Sequence, residues 1–229
     1  GATIIVLTNR SSANAGALAD TIADWLGAVA HDPRWTIQQS GVTASFRGLS
    51  AATDLIAWAG GSRGTVLRTI NGGARWEPVP VAGAESLDFR DVHGVSARTA
   101  YVMSAGPAEL GQARIYKTLD GGNTWTLQWS DTTKGIFLDG MAFWDATHGV
   151  AFSDPVDGKL VILRTDDGTI WQKVDPANIP PVLPGEAAFA ASGTSIAVQG
   201  KSNAWIATGG AREARIFRTT DGGRTWQVS

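Results

Sequence analysis

The sequence predicts an all-β protein: a partial β-propeller of about four four-stranded blades, with a short strand and an α-helix appended at its N-terminal side. Three observations carry that expectation. One short phrase recurs four times with a period near 50 residues. Every period holds four β-rich runs parted by glycine-rich turns. The 229 residues include 28 glycines and 10 tryptophans, as expected of many tight turns and one large interface repeated several times.

The phrase is RTINGGARW at residues 68–76, KTLDGGNTW at 117–125, RTDDGTIW at 164–171 and RTTDGGRTW at 218–226. Counted from the basic residue the spacings are 49, 47 and 54, the length of a four-stranded propeller blade. Three runs precede each phrase. In the first repeat they are SFRGLSA, LIAWAGG and TVLRT, and a fourth, WEPVPV, begins at the tryptophan. The same order gives DFRDVHGVS, TAYVMSAG, ARIYKT and WTLQWS, then DGMAFWDA, HGVAFSD, LVILRT and WQKVD. The last set is AAFAASG, NAWIATGG, ARIFRT and WQVS. Such runs with tight turns between them are antiparallel strands. Asn71, Asp120, Asp167 and Asp221 fall where a hairpin turns. A short carboxylate or amide there accepts bonds from turn amides, while the adjacent glycines supply positive φ. Trp76, Trp125, Trp171 and Trp226 are then expected to pack on a neighbouring sheet, the next one along the chain.

Composition narrows the function. Apolar residues make up 43% and charged residues 17%, enough for a buried core. The formal net charge of −2, without a run of either sign, argues against binding nucleic acid through phosphate neutralisation. The absence of cysteine excludes disulfides, thiolate metal sites and a cysteine nucleophile. No apolar run reaches the ~20 residues that span a bilayer. GAVAHD resembles a signal-peptidase site, but Arg10, Asp20 and Asp24 interrupt the apolar stretch before it, so a signal peptide is not expected. The compartment, exported or cytoplasmic, stays open.

The four phrases resemble Asp-boxes, also called BNR repeats. With WTIQQSGVTASFRGLSA from Trp35, and FRDV, AYVMS and RIYKTLDGGNTW, residues 33–229 are similar to the photosystem II stability and assembly factor-like β-propellers. The resemblance implies a ring of usually seven blades and basic residues used in partner binding. It also implies that WTIQQS, residues 35–40, is the fourth strand of a blade whose first three strands are missing. A stack of four blades would be truncated and expose two apolar faces. A homo-oligomer is therefore expected, two copies sharing a ring. The rival is a four-bladed ring closed within one chain.

Residues 1–30 read as a separate appended segment, and 31–229 as the propeller fragment. Thr3–Leu7 is a β-branched run, Ser11, Ser12 or Asn14 can cap a helix, and Leu18, Ile22, Trp25, Leu26 and Val29 share one helical face. Residues 3–27 resemble the C-terminal strand and helix of serine β-lactamase and penicillin-binding-protein-like hydrolases. The chain lacks that family's S-x-x-K, Y-x-N and K-T-G elements, so its activity does not carry over.

Candidate chemistry is sparse. GGSRG at residues 60–64 matches the nucleophile elbow G-x-S-x-G, but a strand follows where a helix is required, so Ser62 reads as a hairpin turn. His31, His93 and His148 are dispersed, and His93 and His148 are expected in turns. Sialidase chemistry is not expected, because Tyr101 and Tyr116 both lie inside strands. Asp88, Asp91, Asp139, Asp145, Asp154 and Glu186 recur near first strands, which line a propeller's channel. Carboxylates there can hold Ca²⁺, although ordinary turn roles are the simpler reading and no metal site is predicted. Arg47 and Arg90 occupy matching positions, SFRG and DFRD, either as a small basic patch for an anionic ligand or as partners of Asp88 or Asp91.

The expected function is a non-enzymatic binding or assembly module for a protein partner, without a cofactor. Arg47, Arg90, His93, Trp144 and Glu186 are its candidate binding residues. The alternative is a hydrolase of esters, lactones or phosphotriesters, with Ca²⁺ as its candidate cofactor, drawing on Asp139, Asp154, Glu186 and His93.

Overall fold

The computed structural model describes residues 37–191 and 193–229. The predicted N-terminal strand and helix, the resemblance read at residues 3–27, and Trp35 lie outside these residues.

Among the described residues sixteen strands form four antiparallel sheets, each four-stranded and each in sequence order. Blade 1 is β1 (Phe46–Ala51), β2 (Ala57–Gly61), β3 (Val66–Thr69) and β4 (Glu77–Pro78). Blade 2 is β5 (Phe89–Gly94), β6 (Ala100–Ser104), β7 (Arg114–Thr118) and β8 (Thr126–Ser130). Blade 3 is β9 (Leu138–Phe143), β10 (Gly149–Val156), β11 (Lys159–Thr165) and β12 (Gln172–Lys173). Blade 4 is β13 (Ile196–Gln199), β14 (Asn203–Thr208), β15 (Arg215–Thr219) and β16 (Gln227–Val228).

The two-residue period of a strand sends alternate side chains to opposite faces. Tyr101 and Met103 on β6 join the cluster shared with blade 3, whereas Ala100 and Val102 join the cluster shared with blade 1. On β10, Val150 and Phe152 face blade 4 and Ala151 faces blade 2. Among the described residues three hydrophobic clusters thus join the four sheets, and β6 and β10 are apolar on both sides.

The recurring phrase builds one hairpin four times. Thr118 Oγ1 donates to Asp120 Oδ1 (2.9 Å) and accepts from Gly122 N (2.9 Å), while Thr124 N donates to Asp120 Oδ1 (2.9 Å). Thr69 with Asn71, Thr165 with Asp167 and Thr219 with Asp221 repeat this bridge. The four threonines are at most 2% exposed, so they anchor each turn from inside. Gly122, with φ of 82° at Gly121 before it and 89° of its own, lies so close to Val79 that a Cβ would come within 2.5 Å of it.

The tryptophans pack differently from expectation. Trp125 donates from Nε1 to Val79 O of blade 1 (3.2 Å) and meets Trp58 edge-on at 6.1 Å, so it packs on the preceding blade and not the next. Trp171 and Trp226 likewise enter the clusters with their preceding blades. Each opens the fourth strand on the face turned back along the chain. Trp76 follows the same rule with Gln38, donating to its Oε1 (2.8 Å). Gln38 stands three residues after Trp35, as Val79 stands three after Trp76. Both the spacing and the contact give Gln38 the place that Val79 holds for the next blade.

The first strand of blade 4 also differs. AAFAASG forms only a single bridge, Ala187 with Gly209, and the strand is Ile196–Gln199. The β-branched Ile196 and Val198 pair with β14 through a short hairpin at Gly200. The displaced residues 187–195 end in a 3₁₀ turn, Gly193–Ser195, that contacts β1, β5, β9 and β14. This segment plugs the place where the innermost strands converge.

Candidate functional site: the bulged hub

Three inner strands carry a β-bulge at the same level. Register shifts in β1 between Phe46 and Gly48, in β5 between Phe89 and Asp91, and in β9 between Leu138 and Gly140 leave Arg47, Arg90 and Asp139 as the extra residues. A bulge re-aims its side chain out of the ladder. Arg47 and Arg90 converge on one carboxylate: Arg90 Nε lies 2.8 Å and Arg47 Nε 3.8 Å from Asp88 Oδ2. Both guanidinium side chains are about a quarter to a third exposed, at 25% and 30%. Arg90 also lies over the Phe137 ring at 5.6 Å and donates to Ala190 O of the plug (3.4 Å). The sequence left open whether these arginines form a patch or pair with acids. Both reach the same acid, Asp88.

The carboxyls beneath are buried. Asp91 is 5% exposed and accepts from Val92 N (2.8 Å) and Met141 N (2.7 Å), tying blade 2 to blade 3. Burial raises its pKa to about 7 against the pull of those two N–H groups. Gly193 lies against it so closely that a Cβ would fall 2.2 Å from Oδ1; only glycine lets the plug pass. Asp139 is 2% exposed and its Oδ2 has no hydrogen-bond partner. Burial, then the charge of Asp154, raises its pKa to about 8, opposed by an N–H of Asp154 and by Arg90. An uncharged acid suits that site. Asp154, also pushed upward by burial, accepts from Ala188 N of the plug (3.1 Å). The sequence named Asp91 as a first-strand carboxylate, but its ties to Met141 N and to the plug, and the plug itself, come only from long-range contacts. The matching positions of Arg47 and Arg90 were legible, and aligning the bulges adds Asp139.

The remaining candidates are dispersed. His93 is a strand residue and not in a turn. It stacks on Phe143 at 4.5 Å and 19°, and burial lowers its pKa to about 4, so the ring is neutral at pH 7. His148 does sit in a turn, paired with Asp145 at 2.9 Å. Trp144 ties blade 3 to blade 4 by donating to Asn203 O (2.7 Å). Glu186 faces no channel: its side chain is fully buried, and it takes Arg215 on both oxygens and accepts from Leu183 N and Thr208. Burial pushes its pKa up, but these bonds together bring it below the ordinary range. Ser62 lies in the hairpin turn between β2 and β3, accepting from Ser45 N (3.0 Å). Among the described residues no three His, Asp or Glu side chains gather as a metal would require. No helix among them is long and apolar enough to cross a membrane.

No family model matches the chain. A xyloglucanase of a Paenibacillus species is 30% identical over 154 residues, covering 64% of this chain and 14% of that enzyme. Among solved structures, the GH74 enzyme of Niastella koreensis superposes with a TM-score of 0.56 at 16% identity, over 80% of this chain and 29% of that one. A structure of YCF48 bound to D1 peptide gives a TM-score of 0.42 at 16% identity, over 85% and 70%. The chain thus spans a small part of the curated relative it matches. Among the described residues the fold is that of four β-propeller blades, each a four-stranded antiparallel sheet.

Proposed function

We propose that this chain is a non-enzymatic binding module whose hub takes an acidic segment of a partner protein. The observation that supports this reading is the placement of Arg47 and Arg90 by equivalent bulges over one shared carboxylate, Asp88. Arg47 and Arg90 bring two guanidiniums to the single carboxylate of Asp88, and a forked guanidinium suits a further carboxylate. Two of the four groups that the hydrolase reading named are engaged elsewhere: Glu186 by Arg215 and His93 by Phe143. Fluorescence anisotropy with a labelled deca-glutamate peptide tests the idea. Arg47→Ala with Arg90→Ala is expected to weaken binding about tenfold or more and to flatten its salt dependence. Equal affinity in the double variant rejects the hub as the site.

A hydrolase is the second reading, favoured by the 30% identity to a xyloglucanase and by the Asp139–Asp154 pair, in which one carboxyl is held protonated. Paired carboxyls of unequal pKa are the groups glycoside hydrolysis uses. A screen of xyloglucan, ester, lactone and phosphotriester substrates, with and without chelator, separates the two. Turnover that Asp139→Asn abolishes would favour the enzyme. Ring sharing between two copies needs two open ends. Ala57, Ala59 and Leu67, on the face of blade 1 turned away from blade 2, are 5%, 5% and 1% exposed, so that end is covered. Sedimentation velocity of the whole chain reads the oligomeric state directly.

A further inference from the structure

The four hairpins carry one phrase but not one acceptor. Three turn on a carboxylate, Asp120, Asp167 or Asp221, and the first turns on an amide, Asn71. Asn71 Oδ1 accepts from Thr69 Oγ1 (3.0 Å) and from Arg75 N (2.9 Å). Asp120 Oδ1 accepts in the same way from Thr118 Oγ1 and Thr124 N, both at 2.9 Å. The second oxygen of Asp120 also accepts from Thr124 Oγ1 (2.6 Å), and the first phrase has Arg75 in that position.

Asn71 is the chain's one asparagine followed by glycine, and both residues are exposed. Gly72 has no Cβ to keep its amide nitrogen away from the preceding side chain. That nitrogen can attack an amide carbon but not an ionised carboxylate. The three carboxylates are held ionised. Asp120 is lowered to about 2, chiefly by the Thr124 hydroxyl, and Asp167 is lowered by the Ile170 and Thr169 amides. Burial opposes the shift at Asp221, but bonds from Thr225 carry it below the ordinary value too. The closed hairpin restrains the first phrase by another route. Gly72 N donates to Leu55 O (2.9 Å), in the turn between β1 and β2, and Gly72 O accepts from Gln38 Nε2 (3.1 Å). Trp76 holds the other end of the Gln38 amide, so this hairpin also anchors the segment in front of β1.

We propose that Asn71–Gly72 is a deamidation site whose rate is set by local opening of the blade 1 hairpin. When the hairpin opens, Gly72 N bonds to Asn71 Cγ and the Cγ–Nδ2 bond breaks. The Gly72 amide proton leaves with Nδ2 as ammonia, and a cyclic imide remains. Water then adds to either imide carbonyl. Opening on one side gives an aspartate, which restores the acceptor of the other three hairpins and sets a carboxylate beside Arg75. Opening on the other gives an isoaspartyl link, which lengthens the main chain by one carbon. It shifts Gly72 away from Leu55 O and Gln38 and frees the segment before β1. The inference is independent of the hub, which lies on other residues.

The whole chain is aged at mildly alkaline pH, folded and in urea. Its tryptic peptide 69–75 is followed by mass spectrometry, with aspartate and isoaspartate resolved by chromatography. In urea Asn71 should convert faster than Asn123, Asn178 and Asn203. Folding should slow it about tenfold or more, the cost of opening one hairpin. Thr69→Ala, or the exposed change Gln38→Ala should that chain fail to fold, is expected to raise the folded rate about threefold or more. Thr118→Ala, in the neighbouring hairpin, should leave it within about twofold. Asn71→Asp should not lower the urea midpoint, because a charged acceptor strengthens the same two bonds. No conversion in urea, equal folded and unfolded rates, or equal acceleration by Thr69→Ala and Thr118→Ala overturns the proposal, the last by placing the reaction in global unfolding. A lowered midpoint for Asn71→Asp overturns the role given to the aspartate product.

Discussion

Stability should fall as pH rises from 6.5 to 8.5, and the two buried carboxyls of the hub set the size of the loss. Asp91 and Asp139 move from 3.8 to about 7 and about 8. The folded chain therefore holds protons that the unfolded chain releases above about pH 4, and unfolding becomes easier as pH rises through the two raised values. His93 acts in the opposite sense. Lowered from 6.5 to about 4, it costs stability mainly as pH falls below 6.5, and above 6.5 it offsets the loss by under about 0.5 kcal/mol. Across that window the linkage relation gives about 1 kcal/mol from Asp91 and about 2 kcal/mol from Asp139. Urea unfolding at pH 6.5, 7.5 and 8.5, at fixed ionic strength and followed by tryptophan fluorescence, should show a total loss of about 2–3 kcal/mol in wild type. Asp139→Asn should remove most of that slope, leaving the share of Asp91. A wild-type stability that is flat or rises over this window would refute the assignment of neutral buried acids.

Three further outcomes follow from the contacts. Thr118→Ala removes the buried hydroxyl that bridges Asp120 and Gly122 N and should cost about 1–3 kcal/mol in urea unfolding, more than Asp120→Ala at the exposed end of the same turn. Arg215→Ala strands the buried Glu186 carboxylate and should cost about 3–5 kcal/mol, with Glu186→Gln in the same chain recovering part of it. Phe143→Ala opens the cluster between blades 2 and 3 and should cost about 3–5 kcal/mol; an NMR titration should show the His93 pKa climbing back toward 6.5.

Much of the fold is legible because its determinants are local. Thr118, Asp120 and Gly122 satisfy one another within five residues, so the phrase defines its hairpin wherever it occurs, and strand alternation follows from Tyr101, Val102 and Met103 read in order. Local signals also misled. The apolar run AAFAASG reads as a strand, but Arg90, Asp91 and Asp154, some 30 to 100 positions away, hold it over the hub as a plug. His93 sits beside turn-like residues, yet Phe143 of the next blade fixes its place.

What the sequence by itself determined is the repeating unit: four sheets, four hairpins, and the apolar faces that stack them, all from hydrogen bonds and side-chain periods a few residues long. Only the tertiary structure decided which side chains meet at the axis. A bulge is a mismatch between two strands, and burial is a property of what packs above. Asp139 with its unpaired oxygen cannot be recognised until the strands that pack around it are seen.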